Sequence, residues 1–395
     1  MDYEILNSKL NSGASVKIGS IPYITLILSV AFIPAAYVTV AAVFIAHWSN
    51  KDMFFISRDY EFKMLKVYIF MGVLFSQFKA ISFVYAIIYI LCLFSYYMFF
   101  ESMSEEEAVK LKKIIYIVSI IAFFIGIIQY FNPGFSIPGK WVDANQFKLN
   151  KRIYSTFFNP NIFGFYINLL IISACGNLDF KKINLSLAVF LTGISCLFLT
   201  FSRTSWISLI ASLLIASIFN KKYLKYAAIV SAVMFGMDYV FGIGRLNPSS
   251  AASDSSFLYR IEIWKACIQI IKDNPLTGIG FGTLFKHISA YSTVVKTNIE
   301  HCHNIYIQSL IETGIIGFGI FSFIIFKSAA TIIKNIKTAQ DNQIWITAFI
   351  ILSMALIHGL VDSVLLTPQI LLIMSMYAGT LKAIKNEELR MKNFK

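Results

Sequence analysis

Residues 114–131 read Ile-Ile-Tyr-Ile-Val-Ser-Ile-Ile-Ala-Phe-Phe-Ile-Gly-Ile-Ile-Gln-Tyr-Phe, a run without a single charge, preceded by Lys110, Lys112 and Lys113. Such a run is long enough to cross the roughly 30 Å hydrocarbon layer as a helix. A helix is also the form that satisfies its own backbone groups in lipid. Comparable runs lie near 22–47, 65–78, 80–100, 161–178, 183–200, 204–219, 223–243, 306–333, 343–362 and 365–383. With 57% hydrophobic residues, 14% charged residues and a mean hydropathy of +0.69, the 395-residue chain is too apolar for a soluble globule. The predicted fold class is all-α: a polytopic integral membrane protein of about 11–12 transmembrane helices, forming one domain over 1–395. The span count turns on 22–47, where Pro34 can break the helix and make a hairpin. The polar N-terminus and the lack of a small-residue cleavage site predict that the first run is retained and not removed as a signal peptide.

The net charge of +13, from 34 Lys+Arg against 21 Asp+Glu, is explained by loops that set topology. Basic clusters at Lys51–Lys66, Lys110–Lys113, Lys181-Lys182, Lys221–Lys225, Lys327–Lys337 and from Lys382 onward share one face if the spans alternate. That face is predicted to be cytoplasmic, and nucleic-acid binding is not implied. The opposite face then receives 132–160, the turn at Ser202-Arg203, the loop 244–303 and the turn near Asp362. The five cysteines have no metal spacing and imply no disulfide framework.

The loop 244–303 is predicted to be structured and extracytoplasmic. Phe257, Ile261, Trp264, Ile268 and Ile271 follow helical spacing, which predicts an amphipathic helix over 256–273. Asp254, Ser255 and Ser256 are candidate caps, and Asn274-Pro275 stops the helix. Gly278-Ile279-Gly280-Phe281-Gly282 reads as a flexible turn; without a β-α context it is no nucleotide fingerprint. The chain shows no internal repeat, which disfavours a transporter built from inverted repeats.

Ionisable groups at the seam between such a loop and a span point to function. Glu300-His301-Cys302-His303-Asn304 leads into the run that begins near Ile305. Asn304 suits a helix N-cap. His303, next to a helix N-terminus, is either a general base or an interfacial hydrogen-bonding histidine. Cys302 reads as an incidental small residue. Arg203 sits between two spans with almost no loop, where it either holds an anion such as phosphate or snorkels to the interface. Arg260, on the loop helix, is a second cation for the same cavity, and Arg245 is a weaker candidate. Asn159-Pro160-Asn161 is a capping and turn device whose amides also suit a sugar. His358 and Asp362, at i and i+4, form a structural pair or line the cavity. No HxxxH or HExxH array is present, so no metal and no cofactor are predicted.

These residues, in this order, resemble the superfamily of O-antigen ligases and Wzy-type O-antigen polymerases, bacterial membrane glycosyltransferases. The resemblance rests on Arg152 with Asn159-Pro160-Asn161, Phe201-Ser202-Arg203, and Tyr259-Arg260 with Trp264. It continues through Asn274-Pro275-Leu276 with Gly278-Ile279-Gly280, and His303-Asn304 followed by Glu312, Gly314 and Gly317, together spanning about 152–319. It implies a GT-C-like fold in the bacterial cytoplasmic (inner) membrane, with the site on the extracytoplasmic face. The implied partners are membrane lipid, a glycan donor carried on undecaprenyl pyrophosphate, and an acceptor glycan. Carried onto this chain, His303 is the base and Arg203 and Arg260 hold the pyrophosphate. Asn304, Asn159 and Asn161 are the accompanying substrate-binding candidates. Glu312, nine residues past His303, is expected to brace the helix. The rival reading is a transporter or flippase of anionic lipid-linked glycans.

Overall fold

The computed structural model describes residues 20–47, 60–132, 151–242, 244, 255–295, 299–339 and 342–393. Arg245 and Asp254 lie outside the described residues, as do the basic residues Lys51 and Arg58. Among the described residues the structure is helical and contains no strand. The helices are α1 (Ile21–Ala31), α2 (Ile33–His47), α3 (Tyr60–Leu74), α4 (Lys79–Ser102), α5 (Glu105–Phe131), α6 (Pro160–Cys175) and α7 (Leu185–Leu199). They continue with α8 (Arg203–Ala216), α9 (Lys222–Val240), α10 (Ser255–Asp273), α11 (Ile305–Thr338), α12 (Gln343–His358) and α13 (Pro368–Asn393).

Three of these, α4, α5 and α11, are long and apolar enough to cross a membrane unaided. The apolar run 22–47 breaks at Phe32, just ahead of Pro34, into helices of 11 and 15 residues. Each half is shorter than a full span of about 20 residues.

Two compact units divide the chain. One holds α1, α2, the part of α4 from Ile90, the start of α5 and the end of α13 from Leu372. Its interior includes Val30, Ala36, Val40, Met98 and Phe99, with Tyr37 Oη 3.2 Å from Cys92 Sγ. The other unit, Arg58–Tyr89 and Tyr116–Leu371, contains every residue discussed below. At its centre lies α6, on which Phe163, Phe165, Tyr166, Ile167, Ile171 and Cys175 are all fully buried. A helix that is apolar on every side belongs inside a bundle. It packs against α7, α8 and α12, while α11 packs against α3, α10 and α12.

Packing completes one local reading of the sequence and corrects another. The loop helix α10 forms, but it does not bury the Phe257–Ile261–Trp264–Ile268–Ile271 stripe. Ile263, Ala266, Cys267 and Ile270 are the buried face, packed with Ile279, Leu284, Ile288, Val295, Cys302 and Ile311, whereas Phe257 and Ile268 are exposed. The helix is apolar on two adjoining faces, and the loop's own core selects between them. The glycine turn, in turn, is a wedge and not a flexible hinge. Gly314 leaves helical geometry inside α11 (φ 63°, ψ −169°). This frees carbonyls that accept from Ile279 N (2.8 Å, on Ile311) and Gly280 N (3.0 Å, on Glu312), and Ile315 N donates to Pro275 O (2.8 Å). At Gly280 (φ 94°) a Cβ would strike Ser76, so only glycine fits.

Candidate active site at the junction of α11 and α12

The start of α11 is docked onto the end of α12. Ile305 N donates to Gly359 O (2.9 Å), Asn304 Nδ2 to Leu360 O (2.8 Å), and Tyr306 Oη to Leu356 O (3.1 Å). Asn304 is also the N-cap, accepting from Tyr306 N (2.9 Å) and Ile307 N (3.0 Å). The residue before His303 is pinned as firmly: Cys302 O accepts from Trp264 Nε1 (2.8 Å) and Cys302 N donates to Gln308 Oε1 (2.8 Å). Between these anchors His303 adopts a left-handed backbone, φ 54°. Strain of this kind persists only where the surroundings enforce it.

This docking brings His303 to Asp362, four residues beyond the last residue of α12. His303 Nδ1 lies 3.2 Å from Asp362 Oδ1, which also accepts from Ser363 N (2.8 Å). Asp362 Oδ2 accepts from Asn161 Nδ2 (2.7 Å) and lies 3.8 Å from Arg260 Nη2. Asn161 is oriented in turn by Arg152, whose Nη2 donates to its Oδ1 (3.1 Å) and whose Nε donates to Thr200 O (2.8 Å). Asn159 caps α6, accepting from Asn161 N (2.8 Å). Asp362 is thus the hub of the cluster, and it is 2% exposed.

Burial alone would raise the Asp362 carboxyl, but the hydrogen bond from His303 and the charges of His303, Arg260 and His358 hold it well below the usual carboxylate range. An ionised carboxylate only accepts. Nδ1 of His303 therefore carries the proton in this bond, and a neutral ring offers its lone pair at Nε2. Burial, then the charge of Arg260, lowers the proton affinity of Arg203, first residue of α8, against the attraction of Asp238. Burial, then repulsion from His303, lowers the proton affinity of His301, whose ring centroid is 4.4 Å from that of His303. Burial pushes the Cys302 thiol well up, which suits an inert side chain.

Of the predicted site residues, His303, Arg260 and Asn161 converge on Asp362, and Arg203 feels the charge of Arg260. The side chains of Asn304 and Asn159 are occupied by caps and belong to the frame of the site. His358 does not pair with Asp362: its Nε2 is 3.4 Å from Ser205 Oγ, and its Nδ1 has no hydrogen-bond partner. Glu312 does brace its helix, accepting through Oε1 from Gly282 N (3.0 Å) and Gln308 Nε2 (2.8 Å). His301, His303 and Asp362 bring donor atoms within 4.8 Å of one another, as a metal site would. Asn161 and Ser363 already occupy the carboxylate, however, and the guanidinium of Arg260 opposes a second cation there.

The O-antigen ligase family model matches residues 188–322. That match supports the superfamily of O-antigen ligases and polymerases. No curated protein matches the chain. The O-antigen ligase segment covers about a third of the chain and includes Arg203, Arg260 and His303. Asp362, Asn161 and Arg152 fall outside it. The sequence offers Asp362 as a partner of His358 or a residue lining the cavity, and the structure makes His303 its partner.

Proposed function

We propose that the protein is an inverting, metal-independent glycosyltransferase acting at the outer face of the cytoplasmic membrane. It moves a glycan from undecaprenyl pyrophosphate to an acceptor glycan hydroxyl, as a polymerase or a ligase. The observation that carries this reading is the His303–Asp362 pair at 3.2 Å with Arg260 at the same carboxylate. A base beside cations is what the reaction requires. His303 Nε2 takes the proton of the acceptor hydroxyl while its oxygen forms the new bond to the anomeric carbon. The anomeric C–O bond to pyrophosphate breaks, and Arg203 and Arg260 neutralise the charge on the departing lipid-linked pyrophosphate. Asp362 holds the ring in the tautomer that presents Nε2 and stabilises the imidazolium that forms.

The test is product formation by purified protein in detergent, where a transporter without chemistry makes none. His303→Ala is expected to lower turnover by about 10²–10⁴-fold with its melting temperature kept. Wild-type turnover in that variant would refute the assignment of His303. Chelators are expected to leave activity unchanged, and activity lost to a chelator and restored by a divalent cation would refute the metal-free reaction.

A further inference from the structure

Asn161 Nδ2 donates to Asp362 Oδ2 at 2.7 Å, and this bond depends on which way round the amide stands. A carboxamide has a donor end and an acceptor end of nearly the same shape. Turned over, it would set Oδ1 against the ionised Oδ2, acceptor against acceptor. The partner on the other side decides. Arg152 Nη2 lies 3.1 Å from Asn161 Oδ1, and a guanidinium can only donate. Arg152 therefore claims the oxygen and leaves the amide N–H facing Asp362.

Arg152 is itself held in place. Its Nε donates to Thr200 O (2.8 Å), and the next residue, Ile153, is fully buried with its N–H on Leu199 O (3.1 Å). Beyond it, Tyr154 N and Ser155 N donate to Gln129 Oε1 (3.3 and 2.8 Å), and Ser155 Oγ donates to Ala122 O (2.6 Å). The segment 152–155 is thus fastened to the end of α7 and to α5. The guanidinium is presented as a fixed fork, with one prong on Thr200 and the other on Asn161.

The consequence reaches the base. Asp362 accepts at Oδ1 from His303 Nδ1 (3.2 Å) and Ser363 N (2.8 Å), and at Oδ2 from Asn161. Donors on both oxygens fix the plane of the carboxylate. Without the donor on Oδ2, the guanidinium of Arg260, 3.8 Å away, draws that oxygen round. His303 then loses the acceptor that keeps its proton on Nδ1 and its lone pair on Nε2.

We propose that Arg152 is a positioning residue for the transfer reaction, acting on His303 through Asn161 and Asp362. The inference rests on the reaction proposed above. It assigns Asn161 to the carboxylate and not to a sugar.

The test has two readouts on the full-length protein in detergent. The first is the tautomer of His303, read by NMR of protein labelled with 15N-histidine. The chain has five histidines, and the His303 signals are those lost in His303→Gln. The wild-type ring is expected to carry its proton on Nδ1, and Arg152→Ala and Asn161→Ala are each expected to show mixed tautomers. The second readout is turnover of the lipid-linked glycan that accumulates in membranes of cells lacking the protein. Each variant is expected to lose about 10²-fold. The double variant is expected to lose no more than either alone, because both substitutions break one chain of bonds. If Arg152→Ala unfolds, Asn161→Asp decides. It keeps an acceptor for Arg152, replaces the N–H facing Asp362 by an oxygen, and is expected to lose turnover with its melting temperature kept. Three results would each overturn the proposal: a single Nδ1–H tautomer kept in Arg152→Ala or Asn161→Asp, wild-type turnover in Asn161→Ala, or a double variant whose loss is the product of the single losses. Turnover kept in His303→Ala would remove the base assignment, while the tautomer of His303 still judges the chain of bonds by itself.

Discussion

His303 and Asp362 are 59 residues apart in the chain, and Asn161 reaches the same carboxylate across 201 residues. The carboxylate fixes which ring nitrogen is available, so its removal affects the base even where the fold survives. Asp362→Asn is expected to lower turnover by about 10²-fold or more, measured on purified protein with a lipid-linked donor. The same variant tests the electrostatics. The folded-state carboxyl of Asp362 lies below its ordinary value, so the stability it contributes is present above that ordinary value, about 3.9. That contribution is lost only as the pH falls through the lowered one. The gap in melting temperature between wild type and Asp362→Asn is therefore expected to hold from pH 7 down to about pH 4 and to close only in stronger acid. A gap that closes near pH 6 would show that the carboxyl is not held low.

At the scale of elements, α11 carries the site because it is broken. Its first nine residues hold Gln308 and Glu312, and the non-helical Gly314 separates them from the membrane-length remainder. The wedge 275–280 enters at the break and takes up the backbone groups that a continuous helix would have paired. A Cβ at Gly314 would collide with the Leu276 backbone, and the backbone there has φ 63°. Gly314→Ala is expected to destabilise the protein by at least about 2 kcal/mol, seen as a lower melting temperature in detergent and loss of transfer. Gly319, in the same helix, faces open space, and Gly319→Ala is expected to be tolerated. Equal effects of the two substitutions would argue against the wedge.

For the whole molecule, the basic loops and the proposed site predict opposite faces of the membrane. All five cysteines are free and buried, so an impermeant maleimide reports on a cysteine placed by design. Thr293→Cys, exposed in the loop after α10, is expected to be labelled in intact cells. Lys182→Cys, exposed in the basic turn between α6 and α7, is expected to react only after permeabilisation. The reverse pattern would place the site on the cytoplasmic side.

The sequence by itself determined the class of the molecule. Apolar runs form helices because lipid leaves the backbone no other partner, and each of the predicted runs contains a helix. It also marked His303 and Arg203, since ionisable groups at the ends of spans are costly unless used, and Arg260 on the loop helix as a second cation. Tertiary structure alone decided which face of α10 is buried, because two of its faces are apolar and only the loop's own core discriminates between them. Tertiary structure also turned the glycine run into a wedge and made Asp362 the hub. Hydrophobic periodicity is a local property of the chain, whereas a buried carboxylate takes its role from groups that only folding brings to it.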